Sequence, residues 1–424
     1  MKIGVRVVVL AICVWMTGTI GVALAQNAEF TETLQKNRAG IGVKDGKLSG
    51  PGAETLRQAL AEAHFVLLGE DHGIAQIPDF GAALCVELAP HGFNHLTLEI
   101  GPNVAPEVEK FARSADGAKA LAEFLRKYPE TVAFYNWREE FAMLHQCEKA
   151  AGPSGMKIWG VDQEFMGASG MLLDKILATN PGPEAKIAIR ALQKENGEAR
   201  AAAVKSGHPW DLLMVGAKQE ELDHARELLA RQGNSEAQKL FAALLTSREI
   251  YLKNKAADYY NSNRQRALLM KANFVAPFAA EFQQSGMPPK VLFKFGGLHM
   301  FRGMNPLHSS ELGNLAGEFA EAHALKSIHI MILGVKGEEL HFAGIGKPSQ
   351  PAPIDLAGDK DSDFLYFKPL FDNQVAGSWT LYDLRALRTN FSKFGKIDPE
   401  LERVIFGYDF VVLIPDPKPS HGLE

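Results

Sequence analysis

The sequence alternates short apolar runs with longer segments of helical character. Each run is rich in β-branched and aromatic residues, which is typical of buried strands. The six runs are His64–Leu68, Leu96–Ile100, Lys157–Val161, Val291–Phe295, Ile328–Leu333 and Phe410–Ile414. Strands that are joined through helices pair in parallel, because the helix returns the chain to the same edge of the sheet. The sequence therefore predicts an α/β fold with a mostly parallel sheet flanked by helices.

The strand pattern is interrupted between about residues 182 and 285. This stretch is rich in Ala, Leu, Glu, Lys and Gln, and the segments Glu220–Gln232 and Ser235–Asn254 have helical spacing of Leu and Ala. Nothing in the sequence resembles a flexible linker between independent domains. We therefore expect residues 26–424 to form a single α/β domain with a helical insertion at about 182–285.

The first 25 residues have the three parts of a secretory signal peptide. Lys2 and Arg6 form a positive start, Val7–Met16 is apolar, and Ala-Leu-Ala at residues 23–25 is a cleavage motif. The apolar part is short for a helix that spans a membrane. We expect cleavage after Ala25, a periplasmic or secreted protein, and no stable membrane insertion after cleavage.

Charge and cysteine content limit the partners and the covalent framework. Forty-five basic and 50 acidic residues give a net charge of −5. No dense run of Lys and Arg is available to follow a phosphate backbone, so we do not expect a nucleic-acid partner. Cys85 and Cys147 remain after signal cleavage, both in apolar helical stretches. They form one disulfide or stay as buried thiols, and the sequence leaves both alternatives open.

Polar residues stand at the ends of four predicted strands. In chain order, these groups are Glu70-Asp71-His72, then Glu99, then Asp162, then Gly296-Gly297-Leu298-His299. The carboxyl ends of parallel strands face one crevice, where loops from several strands meet. We therefore predict that Glu70, His72, Glu99 and His299 converge in one cleft.

A predicted helix around residues 261–279 carries a further polar group. Asn263, Arg266, Met270 and Asn273 are three, four and three residues apart, so they share one helix face. This face is either solvated or directed into the cleft. In the second case, Arg266 would hold an acidic partner or stabilise an oxyanion.

Several familiar catalytic motifs are absent from the sequence. It contains no G-x-S-x-G nucleophile motif, no H-E-x-x-H zinc helix and no G-x-x-x-x-G-K-[ST] phosphate loop. The remaining histidines and carboxylates have two ways to activate water. A neutral imidazole oriented by a carboxylate acts as a general base, or the same side chains hold a divalent metal ion that acidifies bound water. The cofactor is therefore either none or a divalent metal ion.

The motifs together resemble those of the erythromycin esterase-like proteins. The resemblance covers about residues 60–415 and rests on Phe65–Gly73, Leu96–Glu99, Arg266–Asn273, Gly296–His299 and Leu381–Arg385, in this order. This family belongs to a wider superfamily with the Tiki proteases, the TraB-type proteins and bacterial haem-binding lipoproteins. The resemblance implies an α/β hydrolase that cleaves an ester or a similar bond.

The resemblance also implies a role for each polar residue of the cleft. His72 would be the general base, with Glu70 or Glu99 as its orienting carboxylate. His299 and Arg266 would bind the substrate carbonyl or the developing oxyanion. A histidine base with the ordinary pKa of about 6.5 predicts activity that rises between roughly pH 6 and 7.

Three further polar residues beside these motifs are expected to bind the substrate. They are Asp71, Asp162 and Asn273. Asp71 and Asp162 are expected at the strand ends and Asn273 on the predicted helix. We expect the substrate to be a small molecule or a peptide.

The first motif departs from the erythromycin esterase pattern. Erythromycin esterases typically place two residues between the Glu and the His, whereas Asp71 alone separates Glu70 from His72. The tighter spacing resembles the Tiki and haem-binding branch, whose motif histidines are linked to metal or haem. The alternatives to an exported esterase-like hydrolase are therefore a metal-dependent peptidase and a haem- or metal-binding protein without turnover.

Overall fold

The computed structural model describes residues 28–359, 362 and 364–423, and the signal peptide that the sequence predicts lies outside them. Within these ranges the chain forms eleven strands. They are β1 (Arg38–Lys44), β2 (Lys47–Ser49), β3 (Phe65–Glu70), β4 (Phe93–Leu98), β5 (Lys157–Gly160), β6 (Lys290–Gly296), β7 (Ser327–Gly334), β8 (Lys336–His341), β9 (Gln350–Asp355), β10 (Trp379–Asp383) and β11 (Phe410–Ile414).

Helices cover much of the rest of the described chain. They are α1 (residues 28–36), α2 (Pro51–Leu60), α3 (Gln76–Leu88), α4 (Ala105–Arg113), α5 (Gly117–Lys127), α6 (Arg138–Ala151), α7 (Ser169–Ala178), α8 (Pro183–Ser206), α9 (Leu213–Gly216), α10 (Gln219–Arg231), α11 (Ser235–Lys255), α12 (Tyr259–Ser285), α13 (Leu312–Ala322), α14 (Lys368–Phe371), α15 (Arg385–Asn390) and α16 (Pro399–Gly407). None of the helices in the described ranges is long and apolar enough to cross a membrane.

The central sheet is mostly parallel, which confirms the predicted fold class. In the described part of the chain it has nine strands in the order β2-β1-β10-β11-β7-β3-β6-β4-β5. The six strands from β11 to β5 pair in parallel, and each overlaps one of the six apolar runs. All residues of β3 and β11 are buried, because apolar clusters cover both faces of the sheet. Burial on both faces explains why these runs lack the alternation of a half-exposed strand.

The remaining strands lie at the margins of the fold. β1, β2 and β10 form an antiparallel edge beside β11, and β8 and β9 form a separate hairpin. These strands are short or carry polar and proline residues, so their sequences have no apolar run. β3, β6 and β4 therefore lie inside the sheet as neighbours, with their carboxyl ends close together.

Strand register aligns the ends of the central strands. Glu70 of β3 lies opposite Gly296 of β6, and Leu98 of β4 lies opposite Lys294 of β6. The residues that follow β3, β4 and β6 therefore leave the sheet at similar heights. Helices α7 to α12 are inserted between β5 and β6, and α12 returns the chain to the sheet.

The structure decides between the two alternatives for the cysteines in favour of a disulfide. Cys85 lies on α3 and Cys147 on α6, and their Cα atoms are 5.1 Å apart across a bond between the two sulfurs. Both residues are buried. The bridge closes a loop with a sequence separation of 62 residues and joins two helices that pack on the same face of the sheet.

Removal of this disulfide is expected to lower the free energy of unfolding. A cross-link stabilises a fold mainly by limiting the unfolded chain, and typical losses are about 2–4 kcal/mol. We expect the double variant Cys85→Ser/Cys147→Ser to unfold at a lower urea concentration than the wild type, by circular dichroism. Reduced wild-type protein serves as the control and should behave like the variant. An unchanged midpoint in both samples would contradict the bridge.

Residues 415–423 connect two loops at the carboxyl end of the sheet. The Ser420 amide donates to the Gly73 carbonyl, and the Ala75 amide donates to the Lys418 carbonyl, each at 2.8 Å. The Arg138 amide donates to the His421 carbonyl, also at 2.8 Å. This segment therefore joins the loop after β3 to the start of α6, and both lie next to the predicted cleft.

Candidate functional site

The structure brings the five predicted catalytic side chains together around Glu99. His72 Nε2 lies 3.5 Å from Glu99 Oε2, and His299 Nε2 lies 3.4 Å from Glu99 Oε1. Glu70 contacts His72 from the other side, with 2.9 Å between Oε1 and Nδ1. Arg266 reaches in from α12 and donates from Nη2 to Glu99 Oε1 at 2.7 Å. The arrangement follows from the common height at which the parallel strands end.

Glu99 is the buried centre of this group. Besides Arg266, the backbone amide of Gly296 donates to Glu99 Oε2 at 2.6 Å. Burial alone would raise the pKa of this carboxyl, but His299, His72 and Arg266 hold it well below the ordinary value. Glu99 is therefore a carboxylate at neutral pH. A Cβ added at Gly296 would lie 3.0 Å from His72 Nε2, so glycine leaves room for the histidine.

Arg266 points into the cleft, which decides between the two interpretations of its helix. Its Nε and Nη2 donate to the two carboxylate oxygens of Asp162 at 2.8 and 2.5 Å. Nη1 lies 3.2 Å from His299 Nε2. This two-point pairing fixes the plane of the guanidinium. Asp162 thus orients Arg266, and the substrate-binding role predicted for Asp162 stays a prediction.

His72 is held in place by contacts with its neighbours and faces the cleft. Its ring stacks on Phe134 with 3.7 Å between the ring centroids and 7° between the planes. Burial would lower the pKa of His72, but hydrogen bonds to Glu70 and Glu99 outweigh it and raise the pKa to about 10. His72 is therefore an imidazolium at neutral pH, in contrast to the neutral base expected from the ordinary value.

Phe134 was not found by sequence reasoning. It lies in the loop before α6, and its φ of 61° is in the left-handed region that aromatic residues rarely adopt. Strained backbone of this kind is concentrated at functional sites, where the surrounding structure stabilises it. The sequence around Phe134 has neither periodicity nor a motif, so nothing in it indicates this contact.

Below His72 lies a buried group of three charges, formed by Glu70, Lys294 and Glu140. Lys294 Nζ lies 2.6 Å from the Glu70 carboxylate and 2.8 Å from that of Glu140. The exposed fraction of each of the three side chains is 1–2%. Burial raises the pKa of Glu140 to about 7 against the opposing effect of Lys294. The ion pair with Lys294 fixes the position of the Glu70 carboxylate, and the fixed carboxylate in turn orients His72.

His299 is held by two carboxylates on opposite sides of its ring. Its Nδ1 lies 3.3 Å from Glu311 Oε2, while Nε2 faces Glu99. Burial and Arg266 would lower the pKa of His299, but Glu99 and Glu311 raise it to about 9. His299 is therefore also a cation at neutral pH. Glu311 precedes α13, and sequence reasoning missed it.

The other two predicted substrate-binding residues differ in position. Asp71 lines the cleft, and burial together with Glu339 raises its pKa to about 7. Asn273 donates from Nδ2 to the Val161 carbonyl at 3.0 Å, which ties α12 to the end of β5. Among the described residues that line the two cavities of the site, Asn273 is not found. Its substrate-binding role is not supported by this position and stays a prediction.

Two cavities lie on either side of Glu99, which lines both. The larger has a volume of about 550 Å³, and its wall includes Glu70, Asp71, His72, Gly296, His299 and a set of apolar side chains. The smaller has a volume of about 270 Å³, lies under the inserted helices, and is lined by residues that include Phe134, Asp162, Gln163, Trp210, Asn263 and Arg266. A substrate that occupies both cavities would place one of its bonds beside Glu99 and His72.

The donor set does not fit a divalent metal ion. Within the described ranges, no group of three or more His, Cys, Asp and Glu side chains is arranged to hold one. The two carboxylates nearest His72 already face cations, since Glu70 pairs with Lys294 and Glu99 pairs with Arg266. A divalent ion would have to compete with these fixed charges.

Comparisons with known proteins support the fold. No protein-family model and no curated protein sequence matches the chain. Among solved structures, a histidine-to-asparagine mutant of the erythromycin esterase EreC in its open conformation has a TM-score of 0.60 and 17% identity. This match covers 91% of the present chain and 99% of the esterase.

Two other solved structures have the same fold. A succinoglycan biosynthesis protein has a TM-score of 0.56 and 17% identity, over 94% of this chain and 99% of its own. A protein from Bacillus cereus has a TM-score of 0.56 and 15% identity, over 93% and 99%. The fold implied by the sequence resemblance is thus confirmed.

Proposed function

We propose that this chain, which has the fold of an erythromycin esterase, is a hydrolase that activates water at His72 and cleaves an ester or a similar bond. The observation that carries the proposal is the chain of contacts from Glu70 through His72 to Glu99 at the wall of a cavity. Glu70 occupies Nδ1 of His72, so Nε2, which lies 3.5 Å from Glu99 Oε2, is the nitrogen that would take the proton from water once His72 is neutral. A histidine oriented in this way by a carboxylate is the usual arrangement of a general base.

The reaction requires one proton to move twice. After its own proton has been lost, His72 Nε2 accepts a proton from water, and the water oxygen bonds to the substrate carbonyl carbon. The tetrahedral intermediate then breaks its bond to the leaving oxygen, which takes the proton back from His72. The products are a carboxylic acid and an alcohol, so atoms and charge balance.

His299 and Arg266 supply the positive charge that the intermediate needs. Both are cations near Glu99, and their nearest nitrogens are 3.2 Å apart. Preorganised donors of this kind stabilise the oxyanion that forms during acyl transfer. Glu311 and Asp162 keep the two cations in place, so little reorganisation is needed during the reaction.

The pH dependence of the reaction follows from the pKa of His72. The base is active when deprotonated, and Glu70 and Glu99 raise its pKa to about 10. We expect kcat/KM of the free enzyme to rise from pH 7, above the range that the ordinary histidine pKa predicts, and to pass through a maximum between about pH 9 and 10. It should fall at higher pH because His299, with a pKa of about 9, loses the proton that stabilises the oxyanion. Stopped-time assays over pH 6–10.5 measure the profile. A plateau that begins near pH 6.5 would contradict the effect of Glu70 and Glu99 on the pKa of His72.

A substrate screen tests the proposed function itself. Chromogenic esters and peptides are incubated with the full chain, with and without a chelator. Hydrolysis of esters that persists in chelator supports the proposal. Loss of all activity in chelator favours the metal-dependent peptidase. No turnover together with a new visible absorbance band after haem addition favours the binding protein without turnover.

A further inference from the structure

We infer that the two cavities bind the two halves of an amphiphilic substrate: the larger takes an apolar chain, and the smaller takes an uncharged group with hydroxyls. The inference rests on the proposed function because it places the cleaved bond at Glu99, which lines both cavities. The chemical difference between the linings of the two cavities supports this inference.

The larger cavity is apolar away from the catalytic side chains. Its apolar lining includes Leu298, Phe301, Pro306, Leu307, Met331 and Leu333. Its charged lining residues are Glu70, Asp71, His72, Glu99 and His299 at the catalytic group and Glu400 at the start of α16. An alkyl or aryl group gains free energy by leaving water for such a wall, whereas a polar group would lose its hydrogen bonds there.

The smaller cavity has charges that are already paired with one another. Its charged lining residues are Glu99, Asp162 and Arg266, and Arg266 binds both carboxylates. A permanently charged ligand group in this space would have to compete with these internal ion pairs. The lining therefore favours a neutral ligand.

Gln163 indicates what kind of neutral group the smaller cavity binds. Its exposed fraction is 9%, and no donor among the described residues reaches its Oε1. A buried acceptor without a partner is costly, and a ligand hydroxyl would satisfy it. Asn254 and Asn263 add amide groups, and Trp210 adds an aromatic wall. This combination fits a polyol or a sugar-like group with both C–H faces and hydroxyls.

A binding experiment tests the inference independently of turnover. The probe is 1-O-hexylglycerol, an ether with one alkyl chain and two hydroxyls that a hydrolase of esters does not cleave. Calorimetry gives its Kd for the full wild-type chain and for Gln163→Leu and Leu307→Asp. We expect each substitution to weaken binding about tenfold or more, because one removes an acceptor and the other places a charge in the apolar wall. Thermal unfolding checks that both variants are folded.

Gln219→Leu is the matched control for the glutamine substitution. Gln219 is exposed on α10 and is not among the described residues that line either cavity, so Kd should not change. Binding that is absent in the wild type, or equal in Gln163→Leu and the wild type, would overturn the inference.

Kinetics with matched esters separate the inference from the proposed function. Glyceryl monohexanoate is compared with propyl hexanoate, and hexyl glycerate with hexyl propanoate. We expect at least one hydroxylated ester to be preferred by tenfold or more in kcat/KM, and Gln163→Leu to reduce that preference. Hydrolysis without any preference would overturn the two-cavity inference and leave the hydrolase intact. Ether binding that depends on Gln163, without hydrolysis of any ester, would leave the cavities intact and overturn the hydrolase.

Discussion

His72→Ala should reduce kcat/KM for ester hydrolysis by about 10²- to 10⁴-fold, which is the usual contribution of a positioned general base. The loss should appear mainly in kcat, because the imidazole acts on the transition state and the two cavities still hold the substrate. Initial rates on the best ester from the screen, corrected for folded protein, measure the effect. Wild-type turnover in the variant would show that His72 is not the base.

Two further variants make this test specific. His72→Gln keeps a donor for Glu70 but cannot carry the proton, so we expect its activity to be as low as that of His72→Ala with smaller changes in stability. His224→Ala removes an exposed histidine on α10 and should leave both activity and stability unchanged. A large loss in His224→Ala would show that the assay reports folding and not catalysis.

Lys294→Met should lower the free energy of unfolding by about 3–5 kcal/mol, the usual cost of leaving a buried charge without its partner. Lys294 lies between Glu70 and Glu140, and all three side chains are almost fully buried. Methionine is similar in volume, so the loss reflects charge more than packing. Urea denaturation followed by circular dichroism gives the value.

The pH dependence of this variant provides its control. Without Lys294, the folded-state pKa of the buried pair of carboxyls rises above that of the unfolded chain. Stability should therefore return as the pH falls and the carboxyls take up protons, and it should decrease as the pH rises. The second substitution Glu140→Gln should restore part of the lost stability, because it removes one unpaired charge. Equal stability of Lys294→Met and the wild type at pH 8 would contradict the buried charge group.

The parallel sheet could be predicted because its strands are buried on both faces. Such strands are continuous apolar runs, and polar residues at their ends converge through the geometry of a parallel sheet. His72 and His299 were found in this way although they are far apart in sequence. The edge strand β1 and the hairpin of β8 and β9 gave no comparable pattern, because burial does not determine their composition.

The supporting residues could not be found because their partners are distant in sequence. Lys294 and Glu140 are 154 positions apart, and no local pattern joins them. A lysine between Phe293 and Phe295 was nevertheless a signal, since lysine is rarely buried without a carboxylate partner. The raised pKa of His72 could not be predicted from the sequence either, because it depends on two carboxylates that only the fold places beside the imidazole.

Residues 415–423, which connect the loop after β3 to the start of α6, are synthesised after both of them, and this affects when the candidate site can form. A ribosome releases the loop after β3 and the start of α6 long before it releases the residues that hold them together. Nascent chains that end before residue 415 therefore lack the backbone bonds from Ser420 to Gly73 and from Arg138 to His421. We expect such chains to have a formed sheet and mobile loops at His72 and Phe134. Catalytic competence would then arise late in synthesis, after most of the core is in place.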